Sequence, residues 1–358
     1  MRAVILSVAD KRHMSMSAQY EKYLKSRKIE YDIIRINRYD KTENIEDNVY
    51  EYSFNKSTSV SKIQKIKGFL GFRKYAINII KKNKYDFIIV WNENTAVLFS
   101  DMLYGKYKGR YCLNIRDQFE LKLLMPIFDK TLKNAYFITS PSIDFKFPGK
   151  CYTLFNRDPN IVKNVSKKVK FKQKGEKINI VFMGLYHIAP RTFENTVDIF
   201  ANDERFQLYF YGEGFDTELK NYVDNNNIKN VITGGAFPYE KTYEYLQQTD
   251  IINSYYNNFD RFPNLKAASG VKQSYTPMLY LPAINDKDTT WGRISEKYGF
   301  SYLISDDNIS TLADDLYNWY INLDFNKFKQ GCDEFNKVID KSISDVYALL
   351  DEYFKCKE

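Results

Sequence analysis

The chain has 358 residues, of which 44% are hydrophobic, enough to bury a large core and typical of two domains. Its apolar runs are shorter than the roughly 18–20 residues of a membrane span, and the N-terminal run is too short for a signal peptide. The net charge of +8 favours a polyanionic partner or an anionic membrane surface.

Cysteine usage is typical of a reducing compartment. The four cysteines lie far apart and form no CxxC pair: Cys112, Cys151, Cys332 and Cys356. This spacing favours neither a disulfide framework nor a zinc site. We therefore expect a reduced, cytoplasmic protein without a bound metal.

The first half of the chain alternates strand-like and helix-like segments, which predicts a parallel sheet covered on both faces. The strand-like runs are AVILSVA, YDIIRIN from Tyr31, YDFIIVWN from Tyr85, YCLNIRD from Tyr111 and AYFITSP from Ala135. The helix-like segments are Ser15 to Arg27, Ser61 to Lys82, Thr95 to Tyr104 and Gln118 to Lys133.

Two loops of this half follow predicted strands, on the side of an open α/β sheet where ligands bind. The first runs from Ala9 to Met16 and carries His13, and the second runs from Asn114 to Glu120 and carries Asp117. Both residues have an alternative interpretation. His13 would then be an inert surface histidine, and Asp117 would be the N-cap of the following helix.

The segment from Ser61 to Tyr85 contains no acidic residue. Apolar and aromatic residues alternate with its basic residues: Lys62, Lys65, Lys67, Arg73, Lys74, Lys81, Lys82 and Lys84. An amphipathic basic helix is typical of peripheral docking on an anionic membrane, so we predict docking through Ser61–Lys84. Nucleic-acid binding uses similar residues, although we expect no nucleic acid, and a solvated helix face is the remaining alternative.

The polar, basic stretch 164–177 predicts a linker between an N-terminal domain, 1–163, and a C-terminal domain, 178–339. The second half alternates again, with strand-like runs INIVFMG, FQLYFYG, NVITGGA, DIINSYY, LPAIND and SYLISDD. A last helical segment covers about Asp324 to Phe354. We expect its end, residues 340–358, to pack back on the first domain.

The stretch from Ile178 to Arg191 organises the second half. A buried-strand run ends at Gly184, and a helix-like segment begins near Pro190. Strand, glycine loop and helix form the unit that directs helix N-terminal N–H groups at a phosphate. Arg191 adds a charge-assisted fork at the same place, unless it is an ordinary helix-surface arginine.

Several common enzyme motifs are absent from the sequence: GxGxxG after the first strand, GxxxxGK[ST], HExxH and GxSxG. Dinucleotide-dependent dehydrogenases and P-loop NTPases therefore lose their main support. Three glycine-bearing loops after predicted strands remain. They carry Gly184, then Gly212 and Gly214, then Gly234 and Gly235.

The ordered segments FMGLYHIAPRTFENTVDIF, FQLYFYGEG and NVITGGAFPYEKTYEYLQQTDIINSYY resemble the donor-binding domain of GT-B glycosyltransferases. They are most similar to the family-four-like enzymes of bacterial capsular and exopolysaccharide assembly. The resemblance implies an α/β protein with two Rossmann-type doubly wound domains facing across a cleft. It also implies a nucleotide-sugar donor held by the second domain, with no metal and no cofactor.

Within this resemblance, aligning PAI at 282–284 with the family's GxPxI ending places Lys272 at the basic, phosphate-binding position. Tyr275 stands where the family often has a ribose-binding glutamate, and the E-x7-E pair is missing. A solvated lysine is the alternative for Lys272, and core packing is the alternative for Phe237. The other implied donor contacts are Gly184, His187, Gly212, Glu213, Gly235, Asn264, Ser269 and Gly270.

The function implied is transfer of a sugar, from a UDP-linked donor, to a growing bacterial surface glycan that is carried on a polyprenyl diphosphate at the inner membrane face. In an inverting reaction His13 would be the base and Asp117 would orient it. A GT-B-fold sugar-nucleotide epimerase is the enzymatic alternative. A non-catalytic basic binding or scaffold protein is the alternative of another class.

Overall fold

The computed structural model describes residues 1–37, 46–54, 61–117, 119–257, 259 and 263–355. The chain divides into two compact units. The N-terminal unit comprises Met1–Asp158 and Ser342–Glu358, and the C-terminal unit comprises Pro159–Lys341. Cys356, one of the four cysteines, lies outside the described residues, and the other three are free thiols.

A parallel sheet of seven strands forms the centre of the N-terminal unit. Its strands are β1 (Arg2–Ser7), β2 (Glu30–Asn37), β3 (Val49–Ser53), β4 (Phe87–Trp91), β5 (Tyr111–Asn114), β6 (Phe137–Ser140) and β7 (Cys151–Thr153). They lie in the order β3-β2-β1-β4-β5-β6-β7. Strand β4 is buried along its whole length, as expected where helices cover both faces of a parallel sheet.

The helices of this unit are α1 (Ala18–Ser26), α2 (Lys62–Asn83), α3 (Glu93–Leu98), α4 (Ser100–Tyr104) and α5 (Met125–Lys133). Helix α2 begins with a capping box, in which Ser61 and Gln64 satisfy each other's backbone N–H groups. Helix α5 begins later than the sequence predicted, and its N-cap is Leu124. The interpretation of Asp117 as the cap of this helix is therefore wrong.

The C-terminal unit repeats the plan with six parallel strands in the order β10-β9-β8-β11-β12-β13. They are β8 (Ile178–Met183), β9 (Phe206–Tyr211), β10 (Val231–Gly234), β11 (Ile251–Ser254), β12 (Ala283–Asp286) and β13 (Ser301–Ile304). The helices are α6 (Pro159–Asn164), α7 (Pro190–Ile199), α8 (Lys220–Asn225), α9 (Lys241–Gln248), α10 (Tyr275–Leu279), α11 (Thr290–Tyr298), α12 (Leu312–Ile321) and α13 (Phe325–Lys355).

The basic stretch 164–177 lies against the C-terminal unit. Lys168 Nζ and Lys172 Nζ both pair with the buried carboxylate of Asp250, at 2.9 and 2.7 Å. The same carboxylate accepts the Asn179 N–H at 2.9 Å, at the start of β8. One buried aspartate therefore fixes this stretch beside the strand that leads to the Gly184 loop.

The last turns of α13 belong to the N-terminal unit. Asp351 accepts hydrogen bonds from the Arg27 guanidinium and from the Tyr23 hydroxyl. The Tyr347 hydroxyl donates to the Gln19 carbonyl oxygen at 2.7 Å, and the Tyr353 hydroxyl donates to the Asp86 carbonyl oxygen at 2.9 Å. The end of the chain thus covers α1 and the start of β4.

Candidate active site

Three glycine loops meet at the carboxyl ends of β8, β9 and β10. The Gly184 N–H donates to the Tyr211 carbonyl oxygen, and the Gly212 N–H donates to the Gly234 carbonyl oxygen, both at 2.9 Å. Gly212 has φ +136°, and a Cβ there would overlap the Gly184 carbonyl oxygen. Glycine is required at this position because two backbones touch, so the loops form one packed surface.

The side chains on this surface are mostly exposed. Glu213 lies in the turn after β9, and its carbonyl oxygen accepts the Tyr186 N–H at 3.0 Å. His187 Nε2 lies 3.8 Å from a carboxylate oxygen of Glu218. Gly235 leaves room for the Asp216 carboxylate, which a Cβ would overlap. Contacts within the protein are therefore enough to explain why glycine stands at positions 212 and 235.

Arg191 lies in the first turn of α7, which opens with Pro190 and has no acidic residue in that turn. Its side chain is exposed. None of the described residues forms an ion pair with it. The first N–H groups of a helix have no partner within the helix, so this turn presents partial positive charge beside a full one.

Lys272 is the most unusual ionisable residue of the C-terminal unit. Its side chain is buried, and its Nζ has no hydrogen-bond partner. The ammonium lies 3.3 Å from the Phe182 ring centroid and 4.4 Å from that of Tyr256. Burial holds the lysine pKa well below its usual range, although the charge of Asp286 opposes the shift.

The Phe182 ring connects Lys272 to the first glycine loop. Phe182 lies in β8, and its ring edge lies so close to Gly184 that a Cβ there would make a contact of 2.9 Å. Thr192 of α7 donates its hydroxyl to the Tyr256 carbonyl oxygen at 2.6 Å. Lys272, the Gly184 loop and the start of α7 therefore all pack against Phe182 or Tyr256.

Asp286 was missed by the sequence analysis. It ends β12, is buried, and accepts the peptide N–H groups of Tyr256 at 3.0 Å and Asn257 at 3.2 Å. Burial raises the pKa of its carboxyl to about 6, while those N–H groups and Lys272 oppose the rise. The signal available in the sequence was an acidic residue at the end of an apolar, strand-like run.

Several of the other predicted donor residues are engaged within the protein. The Ser269 hydroxyl accepts the Trp291 indole N–H at 2.7 Å, and the Gly270 N–H donates to Gln273 Oε1 at 2.8 Å. Asn264 is half-buried on the short 3-10 helix Pro263–Lys266. Tyr275 is buried in a hydrophobic cluster with residues of α6, β11 and α10. Their donor contacts stay predictions.

Phe237 belongs to an aromatic group after β10. Its ring meets Tyr245 edge-on at 4.9 Å and Tyr211 at 6.5 Å, while Tyr211 and Tyr245 stack at 3.7 Å. These contacts account for Phe237 as a packing residue. Its role beside a nucleoside stays a prediction.

In the N-terminal unit, Trp91 connects the two loops that carry the predicted catalytic residues. Its indole Nε1 donates to the His13 carbonyl oxygen at 3.3 Å. Its ring faces the Arg116 guanidinium, with Cζ 5.4 Å from the ring centroid. His13 and Asp117 are both exposed at this end of the sheet, and a direct contact between them stays a prediction.

Glu93, the first residue of α3, is a buried carboxylate that the sequence analysis also missed. Its Oε1 accepts the Asn94 amide at 3.0 Å, and its buried Oε2 has no hydrogen-bond partner. Burial raises the pKa of Glu93 to about 7, and the charge of Asp117 adds to the rise.

Arg116 is the basic residue that interacts with Glu93 and Asp117. Its Nη2 donates to Asn156 Oδ1 at 2.6 Å. Burial lowers its pKa, whereas the charges of Asp117 and Glu93 raise it. We call Glu93, Arg116 and Asp117 the acidic cluster of the N-terminal unit.

In the described ranges, no group of three or more His, Cys, Asp or Glu side chains is arranged to hold a metal ion. No helix within those ranges combines the length and the apolar character of a membrane span.

Comparison with known proteins identifies the fold of the chain but does not assign it to a family. No family model matches the chain. A curated protein from Mycoplasma genitalium, a 5'-3' exonuclease, is 25% identical over 251 residues, covering 66% of this chain and 82% of that protein. This level of identity does not assign a family.

Solved structures match over nearly the whole chain. Sucrose-phosphate synthase from Thermosynechococcus elongatus has a TM-score of 0.74 at 11% identity, covering 99% of this chain and 100% of the other. The lipopolysaccharide outer core galactosyltransferase WaaB has a TM-score of 0.60 at 12% identity, with both chains fully covered.

The chain has the GT-B fold. The fold predicted from sequence is thereby confirmed, with seven and six parallel strands in its two Rossmann-type units. The same fold occurs in the UDP-GlcNAc 2-epimerase from Methanocaldococcus jannaschii, which has a TM-score of 0.58 at 14% identity and covers 94% of this chain and 99% of its own. Fold alone therefore leaves both transfer and epimerisation open.

Proposed function

We propose that the protein transfers a sugar from a nucleotide-diphosphate donor to a growing glycan. The observation that carries the proposal is the Lys272 ammonium, which is buried, has no hydrogen-bond acceptor and lies beside the first glycine loop. A buried cation without a partner is costly, and a diphosphate would supply the missing acceptor.

We propose fewer groups for binding the diphosphate than the sequence suggested. The N–H groups of Gly184 and Gly212 already donate to neighbouring strands, so they are not available to an anion. Arg191 is an exposed cation in the first turn of α7, and the Lys272 ammonium lies over the Phe182 ring. These two side chains and the first N–H groups of α7 are the groups that we propose for the diphosphate. They would neutralise the charge that develops on the leaving diphosphate, without a metal or other cofactor.

The acceptor is assigned to the N-terminal unit. We propose that His13 takes the proton of the attacking hydroxyl and that Asp117 orients the imidazole, which is the chemistry an inverting transfer requires. A UDP-sugar is the proposed donor. The proposed acceptor is a bacterial surface glycan on a polyprenyl diphosphate, and the protein would act at the inner face of the membrane.

Calorimetry with a panel of nucleoside diphosphates and nucleotide sugars tests the donor site. One nucleotide should bind, and Lys272→Ala should weaken it about hundredfold, which corresponds to one buried charge-assisted hydrogen bond. Arg191→Ala should weaken it about threefold because that side chain is exposed. Lys241→Ala, at an exposed lysine paired with Glu244, should leave affinity unchanged.

Proton exchange adds a second readout to the same titration. The pKa of Lys272 is depressed in the protein alone, and a bound diphosphate would raise it. In buffers above the depressed pKa, binding should therefore take up protons, and this uptake should vanish in Lys272→Ala. If no nucleotide binds, the transferase proposal fails, and the non-catalytic binding role becomes the better explanation.

The epimerase alternative is favoured by one specific feature, the raised pKa values of the carboxyls of Asp286 and Glu93. A carboxyl that titrates near neutrality can exchange protons with a sugar carbon. Incubating the bound nucleotide sugar without any acceptor distinguishes the two reactions. Interconversion of the sugar followed by NMR would establish epimerisation, and an unchanged sugar would exclude it.

A further inference from the structure

Helix α2 exposes large apolar side chains along one stripe of its first half. Ile63, Ile66 and Leu70 are each more than half exposed. Their spacing of three and four residues places them on one face of the helix. We call this set the α2 apolar stretch.

The opposite side of α2 already packs on the sheet. Phe72, Ala76 and Ile80 are buried in the same hydrophobic cluster as residues of β1, β2 and β4, and Phe69 packs against it. The α2 apolar stretch therefore points away from the core.

A second exposed apolar stretch precedes and opens α5. Leu123 is 91% exposed, and Leu121 and Ile127 are also exposed. Phe128 and Leu132, on the other side of α5, are buried in the cluster that holds α2. We call this second set the 121–127 apolar stretch.

The two stretches belong to one helical layer. The Arg73 guanidinium of α2 bonds to Asp101 of α4 and to the Leu98 carbonyl oxygen at the end of α3. Lys130 of α5 lies 4.0 Å from the ring centroid of Tyr104, the last residue of α4. Helices α3 and α4 thus lie between α2 and α5, which separates the stretches by about two helix spacings, roughly 16–20 Å.

Both stretches lie toward the carboxyl end of the sheet. Gly68 packs against Phe54, the residue after β3, so the turns of α2 before Gly68 extend past the end of that strand. The 121–127 apolar stretch likewise follows β5 and begins the helix that returns along the sheet. His13 and Asp117 follow strands at this same end.

The positive charge of α2 indicates what kind of partner binds to this surface. The lysines at 67, 74 and 81 lie at helical spacing on the face of α2 that carries its apolar stretch, and all three are exposed. The segment from Ser61 to Tyr85 has no acidic residue. Aliphatic side chains between lysines fit the headgroup region of an anionic bilayer, whereas single-stranded nucleic acid is bound by aromatic stacking.

We propose that the two apolar stretches enter an anionic lipid bilayer together, with the α2 lysines on lipid phosphates. The docking site is thus a two-point surface. It joins the segment predicted from sequence, Ser61–Lys84, to a segment that the sequence analysis treated as an ordinary helix. Two points fix the orientation of the N-terminal unit on the membrane, which one helix cannot do. The claim that docking brings a lipid-linked acceptor within reach rests on the proposed function, but the docking itself does not.

Vesicle flotation of the full chain tests this surface. The wild type should bind vesicles of phosphatidylcholine with phosphatidylglycerol and should not bind phosphatidylcholine alone. The double variant Leu121→Ser, Leu123→Ser should lower the partition coefficient about hundredfold, from the transfer of two leucines. Val169→Ser, at a valine of the C-terminal unit that is 79% exposed, is the matched control and should bind normally.

The exposed lysines of α2 allow a second, independent test of the docking surface. Replacing Lys67, Lys74 and Lys81 by glutamine should lower binding about fivefold per charge at low salt, and added salt should remove the difference. Circular dichroism melting of each variant verifies that it is folded.

Four outcomes would overturn the proposal: no binding to anionic vesicles, normal binding by the leucine variant, displacement of vesicles by single-stranded RNA, or loss of a dimer in the leucine variant. Nucleotide calorimetry on the same leucine variant separates the two claims. A variant that loses vesicles but keeps the donor leaves the proposed function intact.

Discussion

Each unit buries an acid at the carboxyl end of its sheet, after β4 in the N-terminal unit and at the end of β12 in the C-terminal unit, but the neighbouring charges differ. In the N-terminal unit, Glu93 follows β4 and lies near Arg116, whose guanidinium bonds to Asn156 and covers the Trp91 ring. In the C-terminal unit, Asp286 ends β12 and lies near Lys272, whose ammonium has no acceptor. Arg116 therefore has a hydrogen-bond acceptor within the protein, whereas Lys272 Nζ has none.

This difference indicates which unit needs a ligand to be electrostatically complete. A guanidinium with an amide acceptor and an aromatic face is satisfied without substrate. A buried ammonium over two aromatic rings is only partly compensated, because rings attract a cation without accepting a full hydrogen bond. We expect substitutions of the two cations to change stability in opposite directions.

The largest expected effect is at Arg116. Arg116→Gln removes a positive charge that interacts with Glu93 and Asp117, and we expect a loss of about 3 kcal/mol in the free energy of unfolding. Urea denaturation measures it. Arg73→Gln, in the ion pair with Asp101 on the helical surface, should cost less than about 1 kcal/mol. Equal losses in the two variants would show that the acidic cluster has no special electrostatic role.

The next effect is a pH dependence at Glu93. Its pKa is about 7 in the folded chain, against about 4.3 when unfolded, so its contribution to stability is complete below pH 4 and disappears as the pH rises through 7. Between pH 4 and 8 the wild type should therefore lose about 3 kcal/mol that Glu93→Gln does not lose. Unfolding curves across this range measure the difference. The exposed Glu30→Gln is the control, and a profile shared by all three proteins would contradict the assignment.

The smallest effect, of opposite sign, is at Lys272. Lys272→Met removes a buried cation but keeps an apolar chain of similar length, and we expect a gain of about 1 kcal/mol. The folded pKa of Lys272 is depressed, so its cost is complete below that pKa and declines as the pH rises toward the unfolded value of about 10.4. The advantage of Lys272→Met in thermal melts should therefore shrink in alkaline buffer. A destabilised variant would mean that the ammonium is already satisfied.

Much of the fold was accessible from the sequence because buried parallel strands are continuous apolar runs. All six strands of the C-terminal unit coincide with such runs, as do five strands of the N-terminal unit. The two that were missed, β3 and β7, form the edges of their sheet and are only half-buried, so they lack the apolar pattern.

The candidate site was less accessible, because burial of a charge depends on residues far away in the chain. Lys272 was proposed from resemblance, but its missing acceptor follows from Phe182 and Tyr256, which no local pattern connects to it. An acid after a strand, such as Glu93 or Asp286, is usually a cap or a solvated side chain. Only the assembled sheet shows that these two carboxylates are desolvated.

The discontinuous N-terminal unit has a consequence for synthesis of the protein. Its second segment is the end of α13, which supplies Asp351 to Arg27 and Tyr23 and is synthesised after the C-terminal unit. The C-terminal unit is continuous in sequence, so it can fold while the N-terminal unit still lacks that cover. Translation thus leaves the face of α1 exposed until the segment that carries Asp351 is made, and premature termination near residue 340 would yield one complete unit and one incomplete unit.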